Sequence, residues 1–210
     1  MTFPKYISLV AAVLMFCCAA PATLRGQDAS SQVVSRINAK ASSIKTIQAD
    51  FTQEKDLSIL KDKMVSKGKM YYDGGMLRWE YLTPYSYLFI MNGEKVLLQS
   101  ANSTTMGDVA SNRIYRMIAR IMVDTITGKS LDGGGDFSVR MSTSGKENIA
   151  TLTPLKREMK SMFKEVRLHF GEDDGVKQVE LVEGTGDKTV ISLSNIKYNS
   201  QIDKTLFEVR

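Results

Sequence analysis

Few residues of this sequence are of the types that carry out acid–base, nucleophilic or metal chemistry. The one histidine, His169, alternates outward in a strand-like pattern, which predicts a solvated imidazole rather than a catalyst. Asp173 and Asp174 precede a glycine, a place where turn geometry favours aspartate. Residues 132–136 enclose three glycines between aspartates, but they lack both calcium-loop ligand spacing and a phosphate-loop lysine. The sequence therefore predicts no enzyme, no cofactor and no metal site.

The N-terminal segment has the composition of an export signal. Lys5 is followed by an uncharged run from Ile7 to Ala20, which is shorter than the roughly 20 residues needed to span a hydrocarbon core. A basic start, a short apolar run and nearby small residues are typical of a secretory signal peptide. We expect residues 1–26 to be removed, with cleavage after Ala22 as the alternative. Both cysteines would leave with this segment, so the mature chain would have no thiol in an oxidising compartment.

The remaining residues, 27–210, are enough for one domain with a buried core. Nothing in them resembles a linker or an internal repeat. The formal net charge of the chain is +5, and it falls to +3 when Lys5 and Arg25 leave with the signal. This mild charge, without a basic run interleaved with aromatic residues, predicts no nucleic-acid binding.

The hydrophobic period divides the chain into one helix and a long series of strands. Apolar residues at three- and four-residue spacing predict an amphipathic helix from Ser30 to Ile47. Beyond it the period changes to two, the pattern of an antiparallel sheet with one face in solvent. Turn residues separate the strands, and they lie at Asp73-Gly74-Gly75, Asn92-Gly93, Ser144-Gly145, Asp173-Asp174-Gly175 and 184–187.

Two further helices are predicted to interrupt the strands, over Ser111–Asp124 and Leu155–Phe163. Ten methionines follow residue 26, and their flexible side chains suit a surface that adapts to its contacts. The period alone does not distinguish a packed core from a hollow between the sheet and its helices. The apolar positions of the two helices are Ile114, Met117, Ile118, Ile121 and Met122 in the first, and Leu155, Met159, Met162 and Phe163 in the second.

The order of several segments resembles the periplasmic outer-membrane lipoprotein carrier (LolA) family. The tail is the most similar part, over 179–182 and 188–196, followed by Asn199 and Phe207. Together the segments cover essentially all of residues 27–210. The others are Ile47-Gln48-Ala49-Asp50-Phe51-Thr52-Gln53 after an amphipathic helix, Gly68-Lys69-Met70-Tyr71-Tyr72, Leu77-Arg78-Trp79-Glu80-Tyr81 with Pro84, and Asn92-Gly93-Glu94-Lys95-Val96.

This resemblance implies an α+β fold that is mainly antiparallel, a strongly curved unclosed β-barrel with helices forming a lid over its apolar concave face. It implies a monomeric, non-enzymatic periplasmic chaperone without a cofactor, which binds the acyl chains of lipoproteins in an apolar cavity. The family's partners are an inner-membrane ABC lipoprotein exporter, which supplies acylated lipoproteins, and an outer-membrane acceptor. The cavity positions are Ala49, Phe51, Met70, Leu77, Trp79, Phe89, Met91 and Leu168, and the lid positions are Ile114, Met117, Ile118, Ile121, Met122, Met159 and Met162.

One departure from the family pattern concerns the lid. Family members often carry Arg-Pro shortly before the tryptophan strand, and that arginine is thought to hold the lid to the barrel. Here the matching residues are Asp73-Gly74-Gly75, and Arg78 is expected to project away from Trp79 to the wet face. Two alternatives therefore stay open on the same fold, a periplasmic carrier of another lipid or hydrophobic metabolite and a lipoprotein-sensing domain.

Overall fold

The computed structural model describes residues 24–59, 62–93, 95–108, 123–124, 127, 131 and 136–209. Residues 1–23 of the predicted signal peptide and most of the predicted helix Ser111–Asp124 lie outside these residues, whereas residues 24–26 are the first residues of a helix. The helices whose bounds are described are α1 (Leu24–Ser43), a short helix at Arg157–Lys160 and a 3-10 helix at Lys204–Phe207. Its strands are β1 (Thr46–Asp56), β2 (Met64–Asp73), β3 (Met76–Thr83), β4 (Tyr87–Asn92), β5 (Lys95–Ser100), β6 (Ser103–Asp108), β7 (Phe137–Ser144), β8 (Glu147–Pro154), β9 (Glu165–Phe170), β10 (Val176–Val182) and β11 (Lys188–Tyr198).

All of these strands form one antiparallel sheet in the order β6-β5-β4-β3-β2-β1-β11-β10-β9-β8-β7. The first six strands run outward from β1 by short hairpins, and the last five return from the opposite edge to pair β11 with β1. In the described residues β6 and β7 are the two edges and do not pair with each other, so the sheet is unclosed. The predicted fold class is therefore confirmed.

Bulges bend the sheet at three of its strand pairs. The register shifts between Gln48 and Asp50 where β1 meets β11, and Asn195 of the bulged strand has a φ of 52°. The other two shifts separate Lys67 from Gly68 and Val176 from Gln178. Because an extra residue bends its strand and increases the local twist, these bulges contribute to the strong curvature.

Two of the three helix predictions were wrong in their bounds. The first helix spans Leu24–Ser43 and not Ser30–Ile47: it begins before Ser30, and it ends at Ser43 because Thr46 and Ile47 already belong to β1. The side chain of Asn199 accepts from the backbone N–H of Lys45 at 2.7 Å and fixes this change of direction. The predicted helix Leu155–Phe163 is a short helix at Arg157–Lys160, since the N–H of Leu155 donates to Asp136 O at 2.8 Å and continues the strand edge.

The sheet buries two apolar clusters, which we call the Trp79 cluster and the Leu168 cluster. Ile191 of β11 packs against both and joins them. The Trp79 cluster comprises Ile44, Ile47, Ala49, Phe51, Met70, Tyr72, Leu77, Trp79, Phe89, Met91 and Val96. The Leu168 cluster comprises Ile37, Leu131, Ala150, Leu152, Met159, Phe163, Val166, Leu168, Phe170, Val176 and Val179.

Candidate functional site

The residues predicted to line a cavity lie on one face of the sheet. Strand alternation places them together, because every second residue of neighbouring strands points to the same side. Leu168 belongs to the other cluster, on the β9 side of Ile191. The seven others are all buried members of the Trp79 cluster, namely Ala49, Phe51, Met70, Leu77, Trp79, Phe89 and Met91.

Aromatic rings form the centre of the Trp79 cluster. Phe51 stacks on Trp79 with ring centroids 4.3 Å apart, and it meets Tyr81 edge-on at 5.1 Å. Tyr81 in turn lies 6.2 Å from Tyr87, so the rings continue toward the β3–β4 loop. Pairs with these geometries add to the stability that ring burial already provides. The result is a continuous aromatic strip along the concave face.

Two polar groups interrupt this apolar strip. Trp79 Nε1 is buried and has no hydrogen-bond partner in the described structure. The hydroxyl of Tyr81 donates to Gln53 Oε1 at 2.9 Å. Burial raises the pKa of Tyr81, so the phenol stays protonated at neutral pH. This part of the concave face therefore offers neutral hydrogen-bonding groups and no charge.

Two of the seven predicted lid positions lie in the described residues, and the other five do not. Met159 is buried in the Leu168 cluster, whereas Met162 is exposed at the end of the sheet. The described residues between the two sheet edges turn inward: Val123 packs against the Trp79 cluster and Leu131 is buried in the Leu168 cluster. The remaining lid positions, Ile114, Met117, Ile118, Ile121 and Met122, lie outside the described residues.

The model of the outer membrane lipoprotein carrier protein LolA family matches residues 42–210. This chain belongs to that family. An outer-membrane lipoprotein carrier protein of Chromohalobacter salexigens is 23% identical over 190 residues, which cover 90% of this chain and 86% of that protein. The corresponding protein of Nitrosospira multiformis is 25% identical over 173 residues, 78% of this chain and 77% of its own length. The crystal structure of a LolA superfamily protein from Nitrosomonas europaea is similar, with a TM-score of 0.45 and 10% sequence identity. The similarity covers 85% of this chain and 97% of that chain.

The LolA-family match begins at the end of α1 and includes every described strand. The family resemblance implies an arginine near residues 73–75, where this chain has Asp73-Gly74-Gly75. Of these three residues, Asp73 contacts the C-terminal segment and the two glycines form a turn. Asp73 forms an ion pair with Lys204, on the C-terminal segment. Gly74 and Gly75 both have positive φ and form the β2–β3 turn. This corner of the LolA-family fold is therefore fastened to the C-terminus in this chain.

Arg78 points away from the Trp79 cluster, as expected, but it is not solvated. Its guanidinium donates to Leu206 O at 3.2 Å and to Glu80 Oε2 at 2.9 Å. The C-terminal segment covers this side of β3 and β4, and Phe207 is fully buried there. Sequence alternation assigned the correct face to Arg78, but it gave no sign that a distant segment covers that face.

Ion pairs attach α1 to the β9–β10 turn. Lys40 Nζ lies 3.0 Å from Asp173 Oδ2, and Arg36 Nε lies 3.1 Å from Asp174 Oδ2. Lys40 also lies over the ring of Tyr198, 4.1 Å from its centroid. Burial and the negative charge of Asp173 together raise the pKa of Tyr198 to about 12. The helix that packs Ile37 into the Leu168 cluster is thus fixed at one end by charges.

The prediction of a solvated His169 was wrong. Only 13% of its side chain is exposed, and its two nitrogens lie 3.3 Å from Glu147 Oε1 and 3.6 Å from Glu180 Oε2. Glu180 is itself buried, and Lys188 and Arg167 contact it at 2.5 and 3.2 Å. Burial alone would raise the pKa of Glu180, but these cations hold that pKa below its ordinary value. These side chains form a polar and charged network, which we call the Glu180 network, on the face of the sheet opposite the two clusters.

Sequence reasoning missed several members of the Trp79 cluster. Tyr72 and Val96 alternate in register with predicted positions and could have been found from strand pairing. Ile44 and Ile47 were instead assigned to the first helix. Among the described residues there is no group of acidic, histidine or cysteine side chains arranged to hold a metal. No described helix is long and apolar enough to cross a membrane.

Proposed function

We propose that this protein is a periplasmic carrier that shelters the acyl chains of lipoproteins on its concave apolar face and moves them from the inner to the outer membrane. The observation that carries this proposal is the LolA-family match over residues 42–210, which includes every strand of the Trp79 cluster. The relatives named above are outer-membrane lipoprotein carriers. Residues 1–26 are the export signal in this proposal, and residues 27–210 are the single working domain.

The physical task of such a carrier is to cover apolar surface and then release it. Each buried methylene contributes about 0.8 kcal/mol, so two or three acyl chains cost about tens of kcal/mol to leave in water. Rigid packing would oppose release, whereas methionine side chains rearrange readily. Met70 and Met91 lie beside the aromatic rings of the Trp79 cluster and suit this reversible contact.

The cargo positions in this proposal are the eight predicted cavity residues, and the cover is formed by the segment that connects the sheet edges together with the predicted lid positions Met159 and Met162. Val123 and Leu131 support this role, because the described parts of that segment already pack on the two clusters. Loading would move this cover away from Phe51 and Trp79. An ABC exporter would deliver the lipoprotein and an outer-membrane acceptor would remove it, so the carrier itself needs no nucleotide site.

Capture of an acylated lipoprotein tests the proposal directly. Residues 27–210 are co-expressed in the periplasm with a triacylated lipoprotein, or with the same protein whose acylated cysteine is replaced by serine. Native mass spectrometry of the purified carrier should show a complex with the acylated form alone. Equal capture of both forms, or capture of neither, would reject the proposal. Lipid extracted from carrier purified from its own host would identify a different cargo on the same fold.

The lid assignment has its own test in Ile118→Asp. This substitution should abolish capture of the acylated lipoprotein while the free energy of unfolding stays unchanged, because a lid residue faces the cargo and not a permanent core. If Ile118→Asp unfolds the protein as a buried charge would, Ile118 belongs to the core and not to the lid.

A further inference from the structure

Exposed apolar side chains concentrate at one end of the sheet, which we call the rim. The rim is the end where β1, β3, β5, β8 and β10 finish and their antiparallel neighbours begin. Of the nine large apolar side chains that stand exposed in the described residues, eight lie there and only Met106 does not. The eight are Ile59, Met64, Val65, Leu82, Tyr85, Tyr87, Leu155 and Met162.

This asymmetry needs an explanation, because single exposed apolar residues are normal but their concentration is not. The most exposed are Ile59 at 89% and Tyr85 at 80%, both in loops that project from the sheet. The opposite end carries the β2–β3, β4–β5, β7–β8 and β9–β10 turns, and none of its described residues is a large exposed apolar one.

The β8–β9 connection, residues 155–164, adds positive charge to the rim. Its Met159 and Phe163 are buried, and Phe163 stacks on Phe137 with ring centroids 6.2 Å apart. These two anchors turn Leu155 and Met162 outward among basic side chains. Lys156 pairs with Asp136. Within the described part of the chain, Arg157, Lys160 and Lys164 are exposed and form no ion pair.

We propose that the rim docks on the surface of an anionic phospholipid bilayer. In the β8–β9 connection, Leu155 and Met162 lie among basic side chains that outnumber its one acidic residue, Glu158, and this combination fits the boundary between acyl chains and negative headgroups. Tyrosines such as Tyr85 and Tyr87 have an apolar ring and a polar hydroxyl, a combination enriched at that depth. A protein partner is the weaker fit, because lysine is depleted in protein–protein interfaces. The docking goes beyond the carrier function, since it requires no cargo.

Vesicle binding of the purified residues 27–210 tests this docking. Sedimentation with vesicles of phosphatidylglycerol and phosphatidylcholine should carry the protein down, and binding should weaken with added salt. Vesicles of phosphatidylcholine alone should bind it far less. The triple reversal Arg157→Glu, Lys160→Glu and Lys164→Glu should weaken binding at least about tenfold. The pair Leu155→Ser and Met162→Ser should also weaken it, while circular dichroism stays unchanged because all five side chains are exposed.

A matched control separates the rim from general electrostatics. Lys45, Lys95 and Lys146 are exposed at the opposite end of the sheet, without an ion pair in the described residues. Reversing these three to glutamate changes the net charge by the same amount and should leave binding near wild type. Equal loss in both triple variants would overturn the proposal, as would equal binding to neutral vesicles. Absence of binding to any vesicle would also overturn it and would direct the search to a protein partner.

Discussion

At the residue scale, the missing side chain of Gly68 lets the Phe51 ring lie flat on the concave face. Gly68 pairs with Phe51 across β1 and β2. A Cβ at this position would stand 1.9 Å from the carbonyl oxygen of Glu80 and 2.6 Å from Phe51 Cζ. Neither the backbone nor a ring stacked on Trp79 can move away easily. The glycine is therefore a requirement of the aromatic strip and not of a turn.

Gly68→Ala should consequently destabilise the protein by about 1–3 kcal/mol, the usual cost of overpacking. The free energy of unfolding in urea measures this loss. Gly184→Ala is the matched control, because a Cβ there meets nothing within 4 Å. The control should stay within about 0.5 kcal/mol of wild type. A Gly68→Ala protein as stable as its control would show that Phe51 and β3 have room to move.

Glu180 is the buried carboxylate of the charge network on the opposite face. Glu180→Gln keeps the shape but loses the attraction to Lys188 and Arg167, so it should lower the free energy of unfolding at pH 7 by about 1–3 kcal/mol. The folded-state pKa of Glu180 is lowered, so the stability it contributes is fully present above its unfolded pKa. That contribution is lost as the pH falls through the folded pKa, where the mutant and the wild type should converge.

Urea unfolding of both proteins between pH 7 and pH 3 measures this convergence. Glu183→Gln serves as the control, because its carboxylate is only partly buried and lies 3.8 Å from Lys55. Exposed pairs contribute little, so this variant should follow wild type at every pH. A constant difference between Glu180→Gln and wild type across the whole range would assign the effect to packing instead of charge.

At the element scale, the period of two predicted the strands well and the period of 3.6 predicted the helices poorly. Alternation is set by the sheet itself, so Leu77, Trp79 and Phe89 could be placed on one face from the sequence alone. Helix ends depend on contacts with distant residues, and Asn199 ends α1 from the far end of the chain. The burial of His169 was missed for the same reason, since its glutamate neighbours come from two other strands.

Removing both ion pairs between α1 and the β9–β10 turn tests whether they hold the helix in place. The double variant Asp173→Asn and Asp174→Asn removes both ion pairs. Partly exposed pairs contribute about 0.2–1 kcal/mol each, so losing both should make amide hydrogen exchange in α1 about two- to thirtyfold faster. Exchange in β1 and β11 should not change. Because the pKa of Asp173 is lowered, the part of this protection that comes from Asp173 should be lost from wild-type α1 only in acid, as the pH falls through that pKa.

The control for this element lies in the same turn. Glu172 is exposed and has no ion pair in the described residues, so Glu172→Gln removes one negative charge without removing a contact. It should leave the exchange of α1 unchanged. Faster exchange in β1 as well as α1 would mean that the turn stabilises the whole sheet and does not act as a fastening for the helix.

At the scale of the whole molecule, one sheet separates three surfaces with different chemistry. The concave face carries the two apolar clusters, and the opposite face carries the Glu180 network and the C-terminal segment. The rim at the end of the sheet carries exposed apolar side chains, and its β8–β9 connection adds basic ones that form no ion pair in the described residues. A carrier that docks by its rim would bring the aromatic strip near the bilayer, because Tyr87 and Tyr81 lead from the rim to Phe51.

The single tryptophan lets the position of the cargo be measured in the intact protein. Trp79 is buried in the concave cluster and stacked on Phe51, so any acyl chain that enters there must come close to its indole. Lipids whose acyl chains carry bromine should therefore quench its fluorescence on binding, whereas the same lipids without bromine should not. Saturable binding without quenching would place the chains elsewhere, on the rim or the opposite face. Quenching that persists in the triple rim variant would show that loading of the concave face and docking of the rim are separate steps.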